Sequence, residues 1–107
     1  MSNTYRRILR GASVNFPHWV VLPEEKCLGQ HFHELRAFCD ERGLSLSRHG
    51  HTVVWEHNIY QVFMFATDED AEIFRVAFDG ERMHPSEKGT GKHWSAWRKG
   101  THRPKRS

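Results

Sequence analysis

The chain has no hydrophobic run approaching 18 residues, and its start, MSNTYRRILRGASVNFP, holds arginines but no apolar core for a signal peptide. Both absences argue against a membrane partner and lead us to expect a cytoplasmic protein. Only two cysteines occur, Cys27 and Cys39. Read onto one helix they stand roughly 18 Å apart at 1.5 Å per residue, too far for a disulfide within one chain, so reduced thiols are expected. The familiar catalytic signatures are missing: GxSxG, HExxH, paired cysteines at zinc-finger spacing and a dinucleotide fingerprint. GTGK, residues 89 to 92, lacks both the four residues between glycines and the hydroxyl residue after lysine that a phosphate loop needs, and reads as a hinge. Cys27 near His31 and Glu34 could pair a nucleophile with a base, but nothing marks an oxyanion hole. The expectation is a protein that is not an enzyme and needs no cofactor.

Acid is missing from one end. Residues 88 to 107 carry Lys88, Lys92, Arg98, Lys99, Arg103, Lys105 and Arg106 without an Asp or Glu, and residues 1 to 10 carry Arg6, Arg7 and Arg10. Residues 11 to 87 hold six basic and thirteen acidic side chains. The net charge of +3 therefore describes an acidic body with basic ends. Nine histidines invite a metal site. On a helix, however, His31 and His33 point about 200° apart, and His31 with Cys27 makes only two ligands. His49 and His51, with His57 across a hairpin, could share a strand face; edge and surface histidines account for them, and no metal is expected.

What is present reads as one domain in 107 residues. A basic arm over 1–13 precedes an α+β domain over 14–86, and 87–107 form a hinge, a tryptophan clamp and a basic tail. Within 14–22, Trp19 to Leu22 favour a strand. The spacing then predicts a helix from Pro23 to Gly43, with Leu28, Phe32, Leu35 and Cys39 on its inner stripe, Phe38 at the edge and Gly43 as a left-handed cap. LSLS (44–47) and TVVWE (52–56) read as two strands, or 44–57 as one strand with a bulge at Gly50. His57-Asn58 reads as a tight turn before the strand IYQVFMF, residues 59 to 65. Thr67 caps a second helix, with Asp70 in the capping-box position, Ala71, Phe74, Ala77 and Phe78 inward, and Gly80 as its end. Its cluster of acids suits the helix dipole. A short strand near 81–85 completes the order. The expected fold class is a ferredoxin-like two-layer sandwich, with both helices on one face of a mostly antiparallel sheet.

RNA recognition motifs share this order, and WVVLP with IYQVFMF resembles their two aromatic-bearing strands over about a third of the chain. Trp19 and Tyr60 match stacking positions, whereas Val62 stands where a second aromatic is expected; geometry common to the fold explains most of the likeness.

IYQVFMF is apolar on both faces, with Ile59, Phe63 and Phe65 on one and Tyr60, Val62 and Met64 on the other. Two helices cover one face, so Trp19, Trp55, Tyr60, Val62 and Met64 form an exposed or partner-binding face that needs a cover. Candidate covers are Trp94 and Trp97, set three apart as on one side of a helical turn; a second copy in a homodimer; or a ligand, peptide or single strand of nucleic acid. The expected function is a non-catalytic module that contacts nucleic acid or another polyanion, such as an acidic protein, through Lys92, Arg98, Lys99, Arg103, Lys105 and Arg106. The alternative is a homodimeric structural or regulatory protein that uses the second sheet face.

Overall fold

Trp19-Val20-Val21-Leu22 has no polar position, which suits a strand buried on both faces and paired along both edges. In the computed structural model, which describes residues 15–101, this segment forms β1 (His18–Pro23), all four residues being buried. It pairs antiparallel with β3 (Asn58–Phe65) on one side and with β4 (Glu81–Met83) on the other. β2 (His51–Trp55) closes the far edge against β3, giving the order β2-β3-β1-β4. The fold is α+β: a four-stranded antiparallel sheet with α1 (Gln30–Arg42) and α2 (Asp68–Phe78). Both helices pack on one face, where Val20, Leu22, Phe63 and Phe65 meet Leu35, Cys39, Ala71 and Phe74. No helix among the described residues is long and apolar enough to cross a membrane.

The first helix starts later than its sequence suggests. Glu24–Lys26 form a single 3-10 turn, and Gly29 then takes φ +55°, a conformation open to glycine, before the helix begins. The interruption resets the helical phase. Cys27 turns into the core, while Leu28 and Phe32, expected on the inner stripe, are 58% and 40% exposed. The two cysteines therefore do not share one helix, and both are buried and unbridged. The C-terminal cap at Gly43 is left-handed as expected, at φ +62°.

LSLS does not form a strand of its own. Leu46 makes one isolated bridge to Phe65, in which the Ser47 amide donates to the Met64 carbonyl at 2.8 Å and the Ala66 amide to the Ser45 carbonyl at 3.3 Å; the Ser45 amide and hydroxyl both donate instead to Asp70 Oδ2, at 2.8 and 2.7 Å. Those two bonds hold the Asp70 carboxyl below the usual carboxylate range. They also replace the reciprocal half of the expected capping box, although Thr67 Oγ1 does accept from the Asp70 amide. The β2–β3 turn falls at Glu56-His57, one residue earlier than expected. Their φ values of +49° and +69° are those of a primed hairpin turn, whose twist matches the flanking strands. On α2, Ala71 and Phe74 are buried and Phe78 half-buried, while Ala77 faces out.

Gly80 is needed for space rather than for ending the helix. The left-handed cap is Asp79, at φ +55°. A Cβ on Gly80 would sit 2.8 Å from both Leu22 Cδ2 and Val20 Cγ1 and 3.0 Å from the Val21 carbonyl oxygen. Gly80→Ala is thus expected to lower stability by about 1–3 kcal/mol in urea unfolding. Asp79→Gly, which relieves a positive φ, should be neutral or stabilising by up to about 1 kcal/mol.

Candidate functional site

HPSEK, residues 84 to 88, carries the signature of a short capped turn: proline at its first position and glutamate at its third. The 3-10 turn Pro85–Glu87 forms, with His84 Nδ1 accepting from the Ser86 amide and Glu87 Oε1 accepting from the His84 amide at 3.1 Å. Glu87 is buried. Its carboxylate also accepts from the Trp97 indole Nε1 at 3.3 Å and from the Gly100 amide at 3.0 Å, and its carbonyl accepts from the Arg98 amide. One side chain so fastens both ends of residues 87–101, which form a strap.

The expected hinge in GTGK is a pinned crossing. The Gly89 amide donates to the Ala96 carbonyl at 2.8 Å, and a Cβ there would lie 1.9 Å from the His93 carbonyl oxygen, so only glycine fits. After a second 3-10 turn, Gly91–His93, the strap meets the free edge of β2. The Val54 amide donates to the Ser95 carbonyl and the Trp97 amide to the Val54 carbonyl, both at 2.9 Å, in a parallel bridge. This pairing shields part of an edge strand that would otherwise offer bare hydrogen-bonding groups.

Trp97, 3% exposed, enters the second sheet face among Trp19, Val21, Val53, Val62, Met64 and Met83, with Phe16, Trp55 and Tyr60 packed around them. Its ring centroid lies 5.3 Å from that of Tyr60 and 5.9 Å from that of Trp55. Trp19, Val62 and Met64, expected on an exposed or partner face, are therefore buried, and only Trp55 and Tyr60 remain half-exposed. The chain's own strap covers much of this face and leaves Trp55 and Tyr60 half-exposed at its rim. The two clamp residues also part company. Trp94 follows the 3-10 turn in helical conformation and stays half-buried, while Trp97 is extended and paired. Lys88 Nζ donates to the Trp94 carbonyl and lies 4.9 Å from its ring centroid.

The expected polyanion contacts are placed unequally. Lys99 is half-buried, 3.9 Å from the Trp55 ring centroid and 3.0 Å from Glu81, so its charge is shared inside the fold. Lys92 and Arg98 are exposed and have no ion pair among the described residues. Arg103, Lys105 and Arg106 lie outside the described residues, as do Arg6, Arg7 and Arg10.

Sequence reasoning missed Glu87 and His51. The first was legible in the turn signature of HPSE. The second, read as an edge histidine, is 4% exposed on the second face, its ring edge-on to Trp19 at 4.8 Å. Neither ring nitrogen has a hydrogen-bond partner. Burial, reinforced by the Lys88 ammonium, pushes its pKa down to about 3. His31 instead pairs with Glu34 at the surface, at 3.6 Å. Among the described residues no three or more His, Cys, Asp or Glu side chains are grouped to hold a metal ion. The thiols of Cys27 and Cys39 are pushed up to about 11, chiefly by burial, and are protonated at neutral pH.

No family model, curated protein or solved structure matches the chain.

Trp97→Ala is expected to cost about 3–5 kcal/mol in chemical unfolding, the range for an aromatic removed from a core. His51 makes stability depend on pH. Its folded pKa of about 3 lies below its ordinary 6.5, so its contribution is complete above pH 6.5 and is lost as pH falls toward 3. Between pH 6.5 and 4.5 unfolding measurements should show a slope approaching about 1.4 kcal/mol per pH unit, and His51→Phe should flatten it. Glu72, held down to about 2 by hydrogen bonds from Arg75 and Arg82, keeps its contribution above its ordinary 4.5 and loses it as pH falls toward 2, so it adds to the slope only from the lower edge of that window downward.

Proposed function

We propose that the chain is a small cytoplasmic binding module, without catalytic chemistry, that contacts nucleic acid or another polyanion through its basic C-terminal end. The observation that carries this reading is the docking of the strap, which anchors that end beside half-exposed rings. Thr101 donates to the Arg98 carbonyl, next to Lys99 and the ring of Trp55. Arg103, Lys105 and Arg106 follow within five residues of Thr101, a reach of at most about 18 Å. Charges that can displace counterions from phosphates thus follow in sequence on a segment docked beside Trp55, whose ring, with that of Tyr60, can stack on unpaired bases. The strand and helix order, with the spatial order β2-β3-β1-β4, supports placing the fold in the ferredoxin-like class.

A fluorescence-anisotropy titration with a 20-nucleotide single strand, repeated across salt concentrations, tests the reading. Replacing Arg98, Arg103, Lys105 and Arg106 with glutamine should weaken binding and flatten the plot of log affinity against log salt by about 0.7 for each phosphate no longer neutralised. A second variant that adds Lys99→Gln separates the pairing with Glu81 from the pairing with ligand. Unchanged affinity in the fourfold variant, or no salt-sensitive binding by the parent, would refute the proposal.

A further inference from the structure

The helix side of the sheet carries a cavity unlike its surroundings. It has a volume of about 280 Å³ and lies between the start of α1 and the β2–β3 end of the sheet. Phe63, 9% exposed, lines it from the sheet, and Leu28 and Phe32, 58% and 40% exposed, line it from α1 and the residues before it. The polar lining includes Arg36, Arg48 and His49, and no Asp or Glu contributes. That composition is unusual in a stretch with thirteen acids and six bases. Of those bases, Arg42, Arg75 and Arg82 are paired with carboxylates, whereas Arg36 and Arg48 have no ion pair among the described residues. Arg36 lies instead over the Phe32 ring, 5.8 Å from its centroid.

We infer that this cavity binds a small amphipathic anion, an apolar chain bearing one carboxylate, with the chain against Leu28, Phe32 and Phe63 and the carboxylate between Arg36 and Arg48. Charge complementarity selects the head group, since guanidinium forks match carboxylate geometry and the lining holds no competing acid. Volume selects a single chain. At about 280 Å³ the cavity is at the small end of ligand sites, which start at roughly 300 Å³, and so suits one small molecule. The exposed Leu28 and Phe32, which the break at Gly29 turns out of the core, gain a cover.

The experiment titrates the full ¹⁵N-labelled chain with dodecanoate and dodecyltrimethylammonium, each below its micelle concentration, and with dodecanol below its solubility limit. Dodecanoate should shift the amides of residues 28–36 and 46–50 and bind at least tenfold more tightly than the other two. Arg36→Gln with Arg48→Gln should remove that preference, and Phe32→Ala should weaken dodecanoate and dodecanol alike; the same spectra show that each variant is folded. Equal affinity for all three probes, shifts located elsewhere, or a double variant that binds dodecanoate normally would overturn the assignment. So would inert dodecanoate alongside an acidic leucine-rich peptide that shifts these amides. The fourfold C-terminal variant should bind dodecanoate as the parent does, which separates this site from the polyanion reading.

Discussion

The second face of the sheet depends on one buried pairing, Glu87 with Trp97. A carboxylate out of water is costly unless its oxygens are satisfied, and here an indole N–H and two backbone amides satisfy them. Because the three donors come from residues 84, 97 and 100, a single side chain ties the start of the strap, its anchoring ring and its end to one point. Burial of the ring supplies most of the energy. A tryptophan removes 150–250 Å² from water, roughly 4–6 kcal/mol at 25 cal/mol per Å². The Lys99–Glu81 pair is partly exposed and is worth at most about 1 kcal/mol. The strap is therefore an apolar device held in register by hydrogen bonds, and its positive charges are secondary to its attachment.

This arrangement explains how so small a chain carries a sheet that is apolar on both faces. α1 and α2 cover one side with a conventional core. The strap closes the other side and protects part of the β2 edge in the same stroke, through the backbone bridge at Val54. His51 marks the cost of that closure: its ring is sealed against Trp19 with both nitrogens unpartnered, near the ammonium of Lys88.

Much of the layout was legible in the residues. Alternation in IYQVFMF assigned Phe63 and Phe65 to one face and Val62 and Met64 to the other, as the two clusters confirm. Thr67 and Gly43 announced helix ends by their capping chemistry. The reading failed where local pattern met tertiary competition. The stripe through Leu28 and Phe32 has helical spacing, but a glycine at positive φ shifts the phase and sends Cys27 inward instead. Asp70 has the right position for a capping box, yet Ser45, 25 residues away, claims its carboxylate. For the candidate site, the charge at the end of the chain was plain. That a buried glutamate would fold the segment back, and that Gly89 would be a tight crossing rather than a hinge, depended on tertiary packing that no periodicity encodes.

The same logic separates the basic end into two parts with different work. Lys88 and Lys99 sit against tryptophan rings within the fold, whereas Lys92 and Arg98 face solvent. Docked or undocked, the strap decides whether these charges are held at the sheet or merely trail from it. Amide hydrogen exchange at Val54 and Trp97 distinguishes the two cases directly. If the strap is part of the fold, both amides should be protected to nearly the same degree as the ladder between β2 and β3. Exchange of both at the rate of unstructured peptide, while that ladder stays protected, would contradict the account.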